Sequence, residues 1–336
     1  MEIVSGWTHR AFPIDDASRI GEARRYAAQA VEPQQWTEED AGRLALIITE
    51  LGSNLHRHAR NGRLLIAPRP DTAEMEVIAI DDGPGIVDLS LSMQDGHSSG
   101  STPGTGLGAI RRLADDFDIH SSVPAGTVTV ACVRKGRAAA RPANPLLQIG
   151  AICLPVAGET VCGDAWGATI HADGCALMMA DGLGHGPEAA KASQAALAVF
   201  RASPGAELRD TVQRAHAELR TTRGAALCIA SLDSATVTYT GAGNIIGRVL
   251  SGTFDKSIVT QHGTAGLQIR TPQLATIDMP EHALLILHSD GIETRWKGEL
   301  LWPVLQRSPT LVAALLLRDH ARHRDDATVV VLRRKG

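Results

Sequence analysis

Four carboxylates in the second half of the chain lie beside segments that read as buried strands. They are Asp164, Asp181, Asp290 and Asp325. Asp181 and Asp290 each end a run of apolar residues and are followed by glycine. Carboxylates that converge repel one another unless cations lie between them. Oxygen ligands favour Mg²⁺ or Mn²⁺, and a pair of such ions activates water for attack on a phosphoester. The alternative is that these positions are hairpin turns, which Asp-Gly also favours. At any single position the hairpin turn is the favoured explanation.

A second group of residues, in the first half, suits a nucleotide. Glu50 and Asn54 are four residues apart in a predicted helix spanning 38–59, so they project from the same face. A carboxylate there can accept a proton from a hydroxyl or water, and an amide oxygen one turn along can bind Mg²⁺. For this pair alone, an exposed polar helix face is the favoured alternative.

Two glycine-containing segments follow. The segment 81–85 reads Asp-Asp-Gly-Pro-Gly after a predicted strand, where an aspartate can accept a hydrogen bond from an adenine amino group. The segment 104–108 reads Gly-Thr-Gly-Leu-Gly and leads into an amphipathic helix, whose N-terminal amides can face phosphate oxygens. A tight turn and a flexible hinge are the respective alternatives.

The order of these three segments resembles the GHKL ATPase superfamily, and the run GTGLGAIRRLADDF is similar to the RsbT-like serine kinases of bacterial partner switching. The resemblance covers residues 10–135 and implies ATP and Mg²⁺ as cofactors. It implies Glu50 as the catalytic base, Asn54 as the magnesium ligand and Asp81 as the adenine acceptor. The other nucleotide contacts that it implies are Gly83, Gly85, Gly104, Thr105, Gly106, Leu107, Gly108 and Thr127.

The segments CGDAW, ADGLGHGPEAAKAS, GAGNIIG and LHSDGI resemble the SpoIIE- and RsbX-like branch of the Mg/Mn-dependent protein serine/threonine phosphatases over residues 147–333. The resemblance implies two Mn²⁺ or Mg²⁺ ions. Asp181, the catalytic centre, would bridge both ions, and Gly182 would offer its carbonyl. Asp290 and Asp325 would bind one ion and Asp164 the other. Many relatives outside this branch carry a proton-donating histidine directly after Asp-Gly; Leu183 stands there instead, and the equivalence of His185 stays open.

Length, composition and charge limit the number of domains, the partners and the location that we expect for the protein. The 336 residues suggest about two domains. With a net charge of −4, only 3% aromatic residues and no long basic block, nucleic acid is not an expected partner. No signal peptide and no apolar run of membrane-spanning length are visible, so we expect a cytoplasmic protein that does not enter the membrane.

The segment 137–145 is small, basic and proline-bearing, which indicates a linker between domains at 1–136 and 146–336. We predict an α/β protein: a GHKL (Bergerat) ATPase α/β sandwich followed by a phosphatase α/β/β/α sandwich. The resemblances imply a regulator that phosphorylates and dephosphorylates a serine or threonine of a STAS-domain signalling protein. In the alternative, the first domain is an ATP-dependent binding module for a sigma factor or other downstream regulator, and only the phosphatase is catalytic.

Overall fold

The computed structural model of the chain describes residues 1–93, 106–137, 147–172, 174–233 and 235–334. The chain divides into two compact units. The first unit consists of His9–Ala143, and the second unit of Met1–Thr8 together with Asn144–Gly336. The chain therefore opens in the second unit, with strand β1 (Glu2–Ser5), before it enters the first.

An antiparallel sheet of five strands with helices on one face forms the first unit. In spatial order its strands are β2 (Arg10–Pro13), β3 (Arg63–Arg69), β4 (Glu74–Ile80), β6 (Gly126–Arg134) and β5 (Asp116–Ser122). The helices are α1 (Ser18–Val31), α2 (Glu38–His58), α3 (Leu89–Ser92) and α4 (Gly106–Leu113), with 3-10 turns at Glu32–Gln34 and Pro70–Thr72. The predicted helix 38–59 and the predicted hairpin of 64–68 with 75–80 are confirmed.

Helix α2 carries the residues of greatest interest in this unit, and its sequence explains where it lies. Thr37 caps its N-terminus, since the Oγ1 atom accepts a hydrogen bond from the amide of Asp40 at 3.1 Å. Acidic residues fill its first turn and basic residues its last, which matches the helix dipole. Its apolar stripe packs against the sheet, so the opposite, polar face is left for chemistry.

Two stacked antiparallel sheets form the second unit. One has the order β1, β8 (Asp164–Ile170), β9 (Cys175–Gly182), β10 (Ala225–Leu232), β11 (Thr236–Ala242), β16 (Ala275–Asp278). The other has the order β13 (Asp255–Val259), β12 (Ile246–Leu250), β17 (Leu284–His288), β18 (Ala327–Arg334), β7 (Leu147–Leu154). The remaining elements are the small pair β14 (Gly263–Thr264) and β15 (Gln268–Ile269), helices α5 (Pro187–Ala202), α6 (Leu208–Glu218) and α7 (Pro309–His320), and 3-10 helices at Leu219–Thr221 and Gly298–Val304.

The core of the second unit lies in layers. Trp166, Met179 and Leu287 belong to the apolar cluster between the two sheets. The opposite face of β9 and β10 packs against α5 and α6, and α7 covers β7 and β18. This is the α/β/β/α sandwich expected from the sequence.

The first eight residues depart from the predicted domain boundaries, which assigned them to the first domain. Strand β1 pairs with β8 from Glu2↔Ile170 to Ser5↔Gly167. Directly after it, the indole of Trp7 meets that of Trp166 edge-on, with ring centroids 4.6 Å apart. The segment therefore completes the edge of a phosphatase-type sheet, because β8 would otherwise leave its backbone groups unpaired. Most of the predicted linker, 138–145, lies outside the described residues.

Among the described helices, none combines the length and apolar character needed to cross a bilayer.

Candidate active sites

Strand pairing in the first unit brings Asp81 and Thr127 together. Asp81 follows β4 and Thr127 lies near the start of β6, and the Asp81 amide donates to the Thr127 carbonyl at 3.0 Å. The Thr127 hydroxyl lies 2.8 Å from the Ser121 hydroxyl, which also accepts a hydrogen bond from the Ile86 amide. The predicted adenine acceptor Asp81 and the predicted nucleotide contact Thr127 therefore share one end of the sheet. Ser121 was not predicted from the sequence.

The glycines after Asp81 allow a tight loop beside the end of α2. The Gly83 amide donates to Asp81 Oδ1 at 2.7 Å. Gly85 has φ +76°, and a Cβ atom there would lie 2.5 Å from the Ser122 carbonyl oxygen. Only glycine fits that position without strain, so the loop leaves backbone rather than side chains beside the Asp81 carboxylate.

Glu50 and Asn54 lie half-buried on α2, one turn apart as predicted. Neither side chain makes a hydrogen bond to another described residue. The helix that carries them ends next to the Asp81 loop, since a Cβ atom on Gly83 would lie 3.2 Å from the His58 carbonyl oxygen. Their roles as base and magnesium ligand stay predictions, and both side chains are available for those roles.

The glycine-rich segment is only partly described. Gly104 and Thr105 lie outside the described residues, whereas Gly106, Leu107 and Gly108 form the first turn of α4. The predicted helix is confirmed there. The proposed contacts of this segment with phosphate stay predictions.

In the second unit, all four predicted carboxylates come to one end of the sandwich. Asp164 begins β8 and pairs in register with Asp181 near the end of β9. Asp181, Asp290 and Asp325 line a cavity of about 330 Å³. Gly182 is required where it stands, because a Cβ atom would lie 2.0 Å from the Ala189 carbonyl oxygen. The close approach of α5 to β9 therefore explains the glycine of this Asp-Gly pair.

Burial and nearby carboxylates raise the pKa values of three of these carboxyl groups, Asp164, Asp181 and Asp290. Burial, followed by the charges of Asp164, Asp290 and Asp325, raises the pKa of Asp181 to about 10. Burial raises the pKa of Asp164 to about 7, against a lowering by the Ser289 hydroxyl. The pKa of Asp290 is also raised, by burial and then by Asp325. The cluster is therefore unstable as a set of anions without positive charge.

Three supporting side chains were not predicted from the sequence. The Ser289 hydroxyl donates to Asp164 Oδ2 at 2.7 Å and accepts from the Thr328 amide at 3.0 Å. Asn244 donates to Asp290 Oδ2 at 2.6 Å. Asp326 holds the loop before β8, since its two oxygens accept from the amides of Val156 and Gly163, each at 2.7 Å. In the sequence, the only signal for these roles is that Ser289 comes directly before Asp290 and Asp326 directly after Asp325.

The donor set fits divalent cations. Among the described residues, no three acidic, histidine or cysteine side chains already converge as a complete ligand group. The charges of Asp164, Asp290 and Asp325 nevertheless disfavour ionised Asp181, and cations between these carboxylates would favour the ionised forms. Which of the four binds which ion stays a prediction.

His185, the open candidate for a proton donor, lies away from this cavity. Its Nδ1 atom is 2.9 Å from Glu159 Oε1, and the side chain is exposed. The residues that line the cavity include His262 rather than His185. The structure therefore gives no support to His185 as the general acid.

Fold and sites together define a GHKL-type ATPase domain joined to a PP2C-type serine/threonine phosphatase domain. The family model for the histidine kinase-like ATPase domain matches residues 12–133. The family model for stage II sporulation protein E (SpoIIE) matches residues 171–335. The serine/threonine-protein kinase RsbT of Bacillus subtilis (strain 168) is 36% identical over 90 residues, which are 26% of this chain and 68% of that protein. Through its first domain, the chain belongs to the RsbT family.

Solved structures support the fold of the second domain. One solved structure is described as the bacterial stressosome, a modular system that has been adapted to control secondary messenger signalling. It is 29% identical to this chain, with a TM-score of 0.53. The match covers 56% of this chain and 99% of that one. RsbX in complex with magnesium is 19% identical with a TM-score of 0.52, covering 57% of this chain and 97% of that one. The RsbX match shows a shared fold.

Proposed function

We propose that the protein is a bifunctional partner-switching regulator. Its first domain phosphorylates a serine or threonine of a STAS-domain signalling protein, and its second domain removes the same phosphoryl group. The observation that carries this proposal is that one chain holds two sets of residues suited to phosphate chemistry. One is an RsbT-related domain with Glu50 and Asn54, and the other is a phosphatase fold with four carboxylates at one end of its sandwich.

For the kinase step, the residues divide the work between binding and proton transfer. Asp81 accepts a hydrogen bond from the adenine amino group, with Thr127 beside it. Asn54 would hold the Mg²⁺ that accompanies the ATP phosphates. Glu50, four residues earlier on the same helix face, accepts the proton of the attacking seryl hydroxyl. Neither Glu50 nor Asn54 makes a side-chain hydrogen bond to another described residue, and this supports the division.

For the phosphatase step, Asp181 would bridge two Mn²⁺ or Mg²⁺ ions, with Asp164 on one of them and Asp290 and Asp325 on the other. Bound ions of this kind lower the pKa of water and neutralise phosphate charge. Ser289 holds one oxygen of Asp164 and Asn244 holds one oxygen of Asp290, which fixes the orientation of these two candidate ligands. Water attacks phosphorus, the bond to the seryl oxygen breaks, and that oxygen takes up a proton.

The STAS substrate is proposed from the family of the first domain and from the stressosome description of one structural relative. Two opposed activities on one residue would hold its phosphorylation at a set point that either ATP or metal supply can shift.

The proposal is tested with γ-³²P-labelled ATP and STAS-domain proteins from the same genome, with Mg²⁺ and then with Mn²⁺. We expect label transfer by the parent chain, more label with Asp290→Asn and none with Glu50→Gln. An Asp210→Asn variant on α6 is the matched control and should behave as the parent. ATP binding without transfer to any STAS protein, in a chain that still releases phosphate, would contradict the kinase half and favour the binding-module alternative.

A further inference from the structure

Three side chains in or beside the lining of the phosphatase cavity take no part in the catalytic cluster. Leu183 lines the cavity, Arg223 lies beside Gly184 of the lining, and Leu267 lies beside Gly224. We call them the lip. We propose that the lip binds the polypeptide on either side of the phosphorylated residue, so that the preferred substrate is a phosphoserine or phosphothreonine with an apolar neighbour. The inference rests on the phosphatase activity proposed above and adds a specificity to it.

The two leucines are exposed, and each lies beside Gly224. Leu183 is 53% exposed and Leu267 60%. Leu183 lines the cavity together with Asp181, and its amide donates to the Gly224 carbonyl at 3.0 Å. A Cβ atom on Gly224 would lie 3.3 Å from Leu267 Cγ. A single exposed leucine is ordinary, but two that lie beside one glycine, one of them in the lining of a catalytic cavity, offer a small apolar surface.

Strand pairing holds this surface in place. Gly182, just before Leu183, pairs in register with Ala225 of β10. Ala225 in turn exchanges two backbone hydrogen bonds with Ala265, of 3.0 and 2.9 Å, which holds the segment that leads to Leu267. Gly224 has φ +85°, and a Cβ atom there would lie 2.6 Å from the Ala265 carbonyl oxygen. The apolar surface is therefore preorganised, so binding to it would cost little ordering.

Arg223 supplies positive charge beside the leucines. It is exposed and precedes Gly224, and its Nη1 atom lies 3.3 Å from where a Cβ atom on Gly184 would be. Its guanidinium donates no hydrogen bond to a described residue. The pKa of Glu188 is lowered mainly by Lys191 and to a smaller degree by Arg223. A guanidinium that donates no hydrogen bond to a described residue can present paired N–H groups to phosphate oxygens.

These positions fit a phosphorylated segment of polypeptide better than a small phosphate ester. The acidic cluster and its cations would face the phosphorus, Arg223 would meet a phosphate oxygen from the side, and an apolar neighbour of the phosphorylated residue would cover Leu183 and Leu267. A small ester that fills the cavity would touch Leu183, which lines it, but would not extend to Leu267.

The test compares three substrates in Mn²⁺: two phosphoserine decapeptides that differ only in carrying leucine or serine on both sides of the phosphoserine, and p-nitrophenyl phosphate. We expect the parent protein to prefer the leucine peptide by about tenfold in kcat/KM, from burial of the exposed parts of two leucines. Leu183→Ser and Leu267→Ser should each reduce that preference about threefold. Leu267→Ser, at a position outside the cavity lining, should leave p-nitrophenyl phosphate unchanged. Arg223→Ala should raise KM for all three substrates. Leu300→Ser, at a position 54% exposed and outside the cavity lining, is the control.

The outcomes separate this inference from the function on which it rests. A parent protein that hydrolyses all three esters without a preference between the peptides, or leucine variants that keep the parent's preference, would overturn the lip alone. Equal losses on the peptides and on p-nitrophenyl phosphate in Leu267→Ser would also overturn it, because they would indicate damage to the catalytic cluster. A parent protein inactive on every ester would overturn the phosphatase and the lip together.

Discussion

The raised pKa of Asp181 predicts that this carboxyl group destabilises the metal-free protein. In the unfolded chain Asp181 has its ordinary pKa of 3.8, whereas burial and then Asp164, Asp290 and Asp325 raise it to about 10 in the folded chain. Between these values the folded state binds a proton that the unfolded state has released. Stability therefore falls as pH rises from about 4 to about 10.

The size of the effect follows from the width of that window. Each pH unit above the ordinary pKa costs about 1.4 kcal/mol. At pH 7 this amounts to about 4 kcal/mol if Asp181 acts alone. Asp164 and Asp290 also have raised pKa values and take up part of the protons that the cluster binds, so we expect a share of about 2–4 kcal/mol for Asp181. Asp181→Asn keeps the shape of the side chain and takes up no proton, so the metal-free variant should be more stable than the parent by that amount at pH 7.

The assay is urea unfolding of chelator-treated protein at pH 5, 7 and 9. Four of the five tryptophans, Trp7, Trp166, Trp296 and Trp302, belong to the second unit, so tryptophan fluorescence reports mainly on it. The advantage of Asp181→Asn should grow with pH, and saturating Mn²⁺ should stabilise the parent more than the variant. The exposed control Asp210→Asn should track the parent. An advantage that does not change with pH would refute the reasoning.

Three further predictions concern residues outside that cluster. Asp81→Asn should weaken ATP binding by about 1.5–3 kcal/mol in calorimetry, because a charged acceptor for the adenine amino group is lost; unchanged affinity would contradict the assignment. Glu50→Gln should bind ATP as the parent does and transfer no phosphate in a radiolabel assay, because the amide cannot accept the seryl proton; transfer at the parent rate would locate the base elsewhere. Trp7→Ala should lower the free energy of unfolding of the second unit by about 2–3 kcal/mol, since the edge-on contact with Trp166 and its buried area are lost; denaturation that shows only the first unit weakened would contradict the placement of β1.

Periodicity and short motifs predicted the parts of the fold that local sequence encodes. Helix α2 has an apolar stripe, a capping threonine and charges that match its dipole, so its bounds and the shared face of Glu50 and Asn54 were predictable. Strand β9 is a continuous apolar run closed by Asp-Gly, which placed Asp181 at the end of a buried strand.

What the sequence did not show depends on pairing between distant segments. Four residues at the N-terminus carry no signal that they pair with β8, more than 160 residues away in the chain. The hydrogen bonds from Ser289 to Asp164 and from Asn244 to Asp290 likewise need the register of two sheets, which no local pattern specifies. The position of His185 beside Glu159, rather than in the cavity, is another tertiary result.

The most direct test of the central claim, that one chain adds and removes the same phosphoryl group, is the steady-state phosphorylation of a STAS-domain partner in cells. Quantitative phosphopeptide analysis would compare the parent chain with Asp290→Asn and Asn54→Ala. The account predicts that one site on the partner rises in phosphorylation with Asp290→Asn and falls with Asn54→Ala. If no site on the partner responds to both variants in opposite directions, the two domains do not act on a common substrate, and the claim is contradicted.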